Sequence, residues 1–196
     1  MKTLAFPAMA PPLDGTEATA TALEAARSGD LAAFDLLMRR HERMVLATAL
    51  RLLGKMEDAQ DASQEVFLRL YRNLGKVQAC RNLAGWLYRV TVNVCRDIRK
   101  RRPEETFVDA AEELVSPGAD PQEAATRNER RRVLELSLRL LSGRERAALV
   151  LRDLEGLSTG EVAEILGTSQ ATVRSRVFQA RIKIKGFVEG CFRRRV

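Results

Sequence analysis

Residues 157–183, LSTGEVAEILGTSQATVRSRVFQARIK, constrain the fold of this chain more tightly than any other stretch. Val162, Leu166 and Val173 form an apolar lock between two short helical runs, and Ala163 is small where those runs must approach closely. Gly167 between them permits the positive φ of a tight turn. Ser158 precedes the first run with Glu161 three residues later, the capping-box spacing. Ser169 is placed to cap the second, which is expected to run from Gln170 to about Val188. The spacing thus predicts helix, tight turn, helix, the geometry that sets a second helix into the DNA major groove. Charge separates it from an ordinary helical hairpin. Residues 142–166 hold three basic and five acidic groups, whereas residues 168–196 hold eight and one. The sign changes at the helix that would face phosphate.

The rest of the chain reads as helix as well. Apolar residues recur at helical spacing from Leu31 to Leu53 (Phe34, Leu37, Met38, Val45, Ala49, Leu52), after an N-cap at Asp30 and before a stop at Gly54. A second amphipathic run spans Met56–Leu74, with Ala59, Ala62, Val66, Phe67, Leu70 and Leu74 inward. A polar loop, Gly75–Asn82, leads to a third from Leu83 to about Arg101, whose stripe is Leu87, Val90, Val94 and Ile98. Beyond Pro103 the periodicity lapses. It resumes in a helix from about Arg127 to Leu141 and another over Gly143–Leu154, broken by Gly156. No strand is expected. The fold class is all-α: two small helical domains, residues 29–102 and 127–196, joined by a flexible acidic linker at 103–126. The Ala-, Thr- and Pro-rich residues 1–28 read as a disordered tail.

The net charge of +7 is unevenly spread. The four segments from tail to C-terminus carry −1, +7, −7 and +8, so two basic blocks flank an acidic connector. Such blocks suit a polyanionic partner. Cys80, Cys95 and Cys191 are far apart without a C-x-x-C pair, as expected of reduced cytosolic thiols. His41 is the single histidine, expected on a solvated face beside Arg39, Arg40 and Arg43, which leaves little for a histidine-based metal site or triad. No stretch reads as a signal peptide or membrane span, so the expected location is cytoplasmic.

Two further faces stand out. Asp58, Asp61 and Glu65 fall on one side of the second helix, with Gln64 beside them. In a basic domain this acidic stripe faces either a basic protein surface or water. On the third helix Arg89, Asn93, Arg96 and Lys100 line one face, with Arg99, Arg101 and Arg102 crowding its end. Cations at a C-terminus complement the helix dipole, but that does not account for Arg89 or Arg96, and the row suits a phosphate track.

Taken together, D-A-x-D-x-x-Q-E-V-F, then W-L-Y-R-x-x-x-N-x-x-x-D-x-x-K, then a C-terminal helix-turn-helix with T-V-R-S-R-V-F-x-A-R resemble the extracytoplasmic-function (ECF) sigma factors of RNA polymerase. The resemblance covers about residues 28–102 and 127–188. It implies that Asp58, Asp61, Gln64 and Glu65 dock on core RNA polymerase. The loop Gly75–Asn82 and the helix bearing Arg89, Asn93, Arg96 and Lys100 would then engage the downstream promoter element, where capturing unstacked bases costs a few kcal/mol. Arg174, Ser175, Arg176, Phe178, Gln179, Arg181 and Lys183 would form the recognition helix on the upstream element. The acidic linker would thread the polymerase's RNA path. Gln179 stands where the family pattern has its second Arg, so base preference there is expected to differ. The resemblance implies promoter DNA and core polymerase as partners, with an anti-sigma factor, and no catalysis, cofactor, metal, small-molecule substrate or membrane insertion. When bound to polymerase the protein would associate with the nucleoid. A dimeric LuxR-like helix-turn-helix activator is the alternative; it would bind specific DNA without polymerase.

Overall fold

The computed structural model describes residues 17–77, 83–101 and 133–193, and among these the regular structure is entirely helical. The polar loop Gly75–Asn82 is described only to Val77, and the acidic connector 103–126 lies outside the described residues.

Helix α1 spans Glu17–Arg27, α2 Leu31–Leu53, α3 Met56–Asn73 and α4 Leu83–Arg101. Local chemistry sets most of these boundaries. The Asp30 carboxylate accepts from the backbone N–H groups of Ala32 and Ala33 at 2.8 and 3.1 Å, starting α2. Gly54, at φ 80°, ends it in the left-handed conformation. Glu57 and Asp58 occupy the first turn of α3, where they complement the helix dipole. Val45, Ala49, Ala59, Ala62, Val66, Leu70 and Leu87 pack inward with almost no exposure, so α2, α3 and α4 form one bundle.

Two sequence expectations are corrected here. Residues 17–27, read as part of a disordered tail, form α1; Thr19, Ala22, Leu23 and Ala26 bury one face against α2, at the spacing of a helical stripe. Alanines supply the helix propensity that a tail reading discounted. The Arg27 guanidinium ties this helix down by donating to the Gly75 carbonyl at 2.9 Å. His41 is buried rather than solvated. It lies four residues after Leu37 and three and four before Met44 and Val45, on the inward face of α2, so its arginine neighbours in sequence were a misleading guide.

In the second unit residues 133–139 form α5. Helix α6 spans Gly143–Leu149 and passes into a π turn at Val150–Leu154; α7 spans Thr159–Leu166 and α8 Gln170–Arg193. The single helix expected over Gly143–Leu154 is therefore two geometries. The Glu155 N–H reaches back to the Val150 carbonyl (2.9 Å), and that of Leu157 to Leu151 (3.1 Å), so the last turn is wide. Both helix starts are closed by reciprocal capping boxes, Ser142 with Glu145 and Ser158 with Glu161. Gly167 ends α7 at φ 59°, ψ 47°. Helix α8 extends past its expected end near Val188.

The units are in contact. Helix α7 lies against α4, while α2 touches α6 and the π turn.

Candidate nucleic-acid interface and docking face

Helix α8 is anchored by Val173, Val177 and Ala180, which bury one side against the rest of its unit. Ser169 Oγ accepts from the Thr172 N–H at 3.1 Å and fixes the first turn. The opposite side carries Arg174, Ser175, Phe178 and Gln179, all exposed, with Arg176 half-buried at the margin. Phe178 is 61% exposed. A large aromatic ring pointing into water between cations is poorly placed for folding and well placed for contact with a base or sugar. Arg174 is held loosely by Gln170 at 3.3 Å.

Two expected recognition residues are differently placed. Arg181 makes a bidentate pair with Asp153 of the π turn (2.8 and 2.7 Å), and Lys183 bonds both carboxylate oxygens of Glu145 at 2.8 Å. The bonds it donates to Asp153 hold the Arg181 guanidinium above its ordinary value, and the bond donated by Lys183 keeps the Glu145 carboxyl below its own. Their charges are turned back onto the scaffold rather than outward with Arg174.

On α4, Leu87 and Val94 are buried as the stripe requires, while Val90 and Ile98 are half-buried. Tyr88, Thr91 and Cys95 join the buried side. Burial pushes the Cys95 thiol up to about 12, against a partly offsetting Arg99, so it is not a reactive thiolate. Arg89, Arg96 and Lys100 are exposed and Asn93 is half-buried along one face. Arg89 is not idle: it donates to the Glu164 carbonyl on α7.

On α3, Asp61 and Gln64 are exposed, and Asp58 and Glu65 are half-buried. Glu65 pairs with Arg69 at 2.7 Å. The sequence reading missed what continues this face. Leu68 and Tyr71, four and seven residues beyond Gln64, are 49% and 51% exposed. Tyr71 meets Phe34 of α2 edge-on, with centroids 5.2 Å apart. The face is thus acidic at one end and apolar at the other, a pattern that suits protein better than phosphate. Its signal was present as a leucine and a tyrosine off the inward stripe. No cluster of metal-ligating side chains occurs among the described residues, and none of their helices is long and apolar enough to cross a membrane.

The chain is thus an all-helical protein of two units, one with the helix-turn-helix of a DNA-binding protein, and it carries basic faces on α4 and α8 and a joined acidic and apolar face on α3. Comparison with known proteins agrees: residues 37–104 match the family model for sigma-70 region 2, and residues 131–184 that for sigma-70 region 4. The RNA polymerase sigma-H factor of Pseudomonas aeruginosa is 32% identical over 169 residues, covering 81% of this chain and 88% of the relative. The ECF RNA polymerase sigma-E factor of Escherichia coli strain K12 is 34% identical over 182 residues, covering 88% and 95%. Among solved structures, the sigma factor RpoE from Bartonella quintana, in complex with the anti-sigma factor NepR, has the same fold; the TM-score is 0.63 at 21% identity, over 80% of this chain and 96% of that one. The chain belongs to the RNA polymerase sigma factors of the ECF type. It binds core polymerase and promoter DNA and directs transcription initiation, and it is not an enzyme. The dimeric-activator alternative is not favoured.

Proposed function

We propose a division of this activity among three faces. Asp58, Asp61, Gln64 and Glu65, extended by Leu68 and Tyr71, dock on core polymerase. Arg89, Asn93, Arg96 and Lys100 track the downstream promoter element. Arg174, Ser175, Arg176, Phe178 and Gln179 read the upstream element, with Arg181 and Lys183 supplying phosphate contacts if their carboxylate partners release them. The observation that carries the docking assignment is the joined acidic and apolar face of α3, on a unit that is otherwise basic. An anti-sigma factor of the kind solved with RpoE is the expected regulator. Action in the cytoplasm, on the nucleoid, fits this reading. Reversing Asp61 and Glu65 to Lys is expected to weaken core binding by roughly 2–5 kcal/mol where the charge pairs are buried, without unfolding α3, because both side chains lie on its polar side. Co-elution with core polymerase at the wild-type level would overturn the docking assignment.

A further inference from the structure

Arg174 differs from the later cations of α8 in what restrains it. Arg181 and Lys183 are paired with carboxylates, whereas Arg174 donates to the side-chain amide of Gln170, one turn earlier, at 3.3 Å. A guanidinium only donates, so the atom facing it is Gln170 Oε1 and the amide nitrogen points the other way. There Nε2 lies over the first turn of α7: a Cβ at Gly160 would stand 3.6 Å from it and 3.8 Å from Ser158 Oγ. The side chain thus reaches from the first helix of the motif to the reading edge of the second. The backbone beneath it is fixed as well. Ser169 Oγ accepts from the Thr172 N–H at 3.1 Å and lies 2.8 Å from Thr172 Oγ1, while the Val173 N–H donates to the Ser169 carbonyl at 3.0 Å. Gln170 opens α8, and Gln170, Arg174 and Phe178, spaced by four, share one exposed edge.

An amide in this place acts differently from a carboxylate. A carboxylate would orient the guanidinium but oppose its charge, and DNA would have to compete with it. The amide orients Arg174 and leaves its charge whole. An arginine gives up much rotamer freedom when a base fixes it. Where a neighbour already restrains the side chain, part of that cost falls on the free protein instead of on binding. One bond to Gln170 leaves the rest of the guanidinium fork for the O6 and N7 acceptors of a guanine edge. Such a bidentate contact depends on the plane of the fork, whereas attraction to phosphate depends on charge and hardly on orientation. Gln170 therefore bears on which base is read rather than on how strongly α8 is drawn to DNA.

We propose that Gln170 is a positioning residue for the upstream element: its Oε1 holds the Arg174 guanidinium in the plane from which it reads a base. The inference rests on the α8 assignment made above. The test uses holoenzyme assembled from the full chain and core polymerase, with a library of upstream elements at fixed salt. Arg174→Ala first identifies the base position that Arg174 reads. Gln170→Met keeps the length of the side chain without its acceptor. It is expected to lower discrimination at that one position by about fivefold. Preference elsewhere and the salt dependence should not change, because no charge is removed. In the Arg174→Ala background Gln170→Met should have no further effect at that position. Gln170→Glu keeps an oxygen in place and is expected to retain discrimination while weakening binding to every sequence alike, through its charge. Unchanged discrimination in Gln170→Met, a loss spread evenly over all positions, a further loss in the Arg174→Ala background, or an equal loss in Gln170→Glu would each overturn the proposal. If Arg174→Ala itself left every base preference intact, the α8 assignment would fall, and the proposal with it.

Discussion

Ser158 shows how much one residue can settle. Its hydroxyl accepts from the Glu161 N–H at 3.2 Å while the Glu161 carboxylate accepts from the Ser158 N–H at 2.7 Å. Ser158→Ala is expected to cost about 1 kcal/mol, read as a shift of the denaturant midpoint at constant slope. Hydrogen bonds from Ser158 also hold the Glu161 carboxyl below its ordinary 4.5. A carboxylate with a depressed folded value lends stability that is complete above the unfolded value and lost as pH falls through the folded one. The helix-turn-helix unit should therefore lose stability below about pH 4.5, and Glu161→Gln should flatten that loss in acid titrations followed by circular dichroism. Gln179 belongs to the same scale. Arg pairs most often with guanine and Gln with adenine, so Gln179→Arg is expected to shift preference towards guanine at one upstream position by about 1–3 kcal/mol. A promoter-library selection at fixed salt that returns the same consensus for both forms would show that this side chain reads no base. Caps and turns such as Ser158 and Gly167 are legible in sequence because their partners lie within a few residues. The burial of His41 was not, because three neighbouring arginines outweighed a helical phase that only the packed bundle makes decisive.

At the scale of the element, α8 carries two kinds of cation. Those of its first turns face outward, while Arg181 and Lys183 are held by Asp153 and Glu145. Such exposed pairs contribute at most about 1 kcal/mol to stability, so they can exchange a carboxylate for a phosphate. Asp153→Asn with Glu145→Gln is expected to raise sequence-independent DNA affinity and to steepen its salt dependence by about one unit of slope per released cation; Gln at position 145 preserves the capping box. An unaltered salt slope would place both cations beyond reach of the backbone. Helices α2, α3 and α4 could be read from their apolar periods and stops. Helix α1 could not, since its stripe is made mostly of alanine and threonine, which also compose tails. The π turn left no trace in sequence either, because one wide turn keeps the same residues apolar.

For the whole molecule, the order of the two units was legible, and their mutual contact was not. That contact depends on Glu155 meeting Thr48, Arg51 and Tyr88, residues scattered through three helical segments with no shared motif. The connector, residues 103–126, reaches on the order of 80 Å when extended, ample for the units to part. Replacing it with a neutral Gly/Ser segment of equal length is expected to leave core binding nearly intact while impairing initiation, through the loss of seven carboxylates. Wild-type transcription in vitro from the replaced protein would show that linker charge is dispensable.

The wide turn at Val150–Leu154 works as a phase shifter. Each residue of an α-helix advances by about 100° around the axis, and a single surplus residue leaves everything beyond it out of step with α6 by about that angle. Helices α7 and α8 share the offset because their own turn and caps lie downstream of it. Deleting one residue from Val150–Leu154 would return the segment to α-helical phase and set α7 and α8 out of step with α6, on which α8 packs. Their grip on each other would persist, while Glu155 would be carried away from the hydroxyls of Thr48 and Tyr88. The contact that Glu155 makes between the two units thus depends on the length of a five-residue segment.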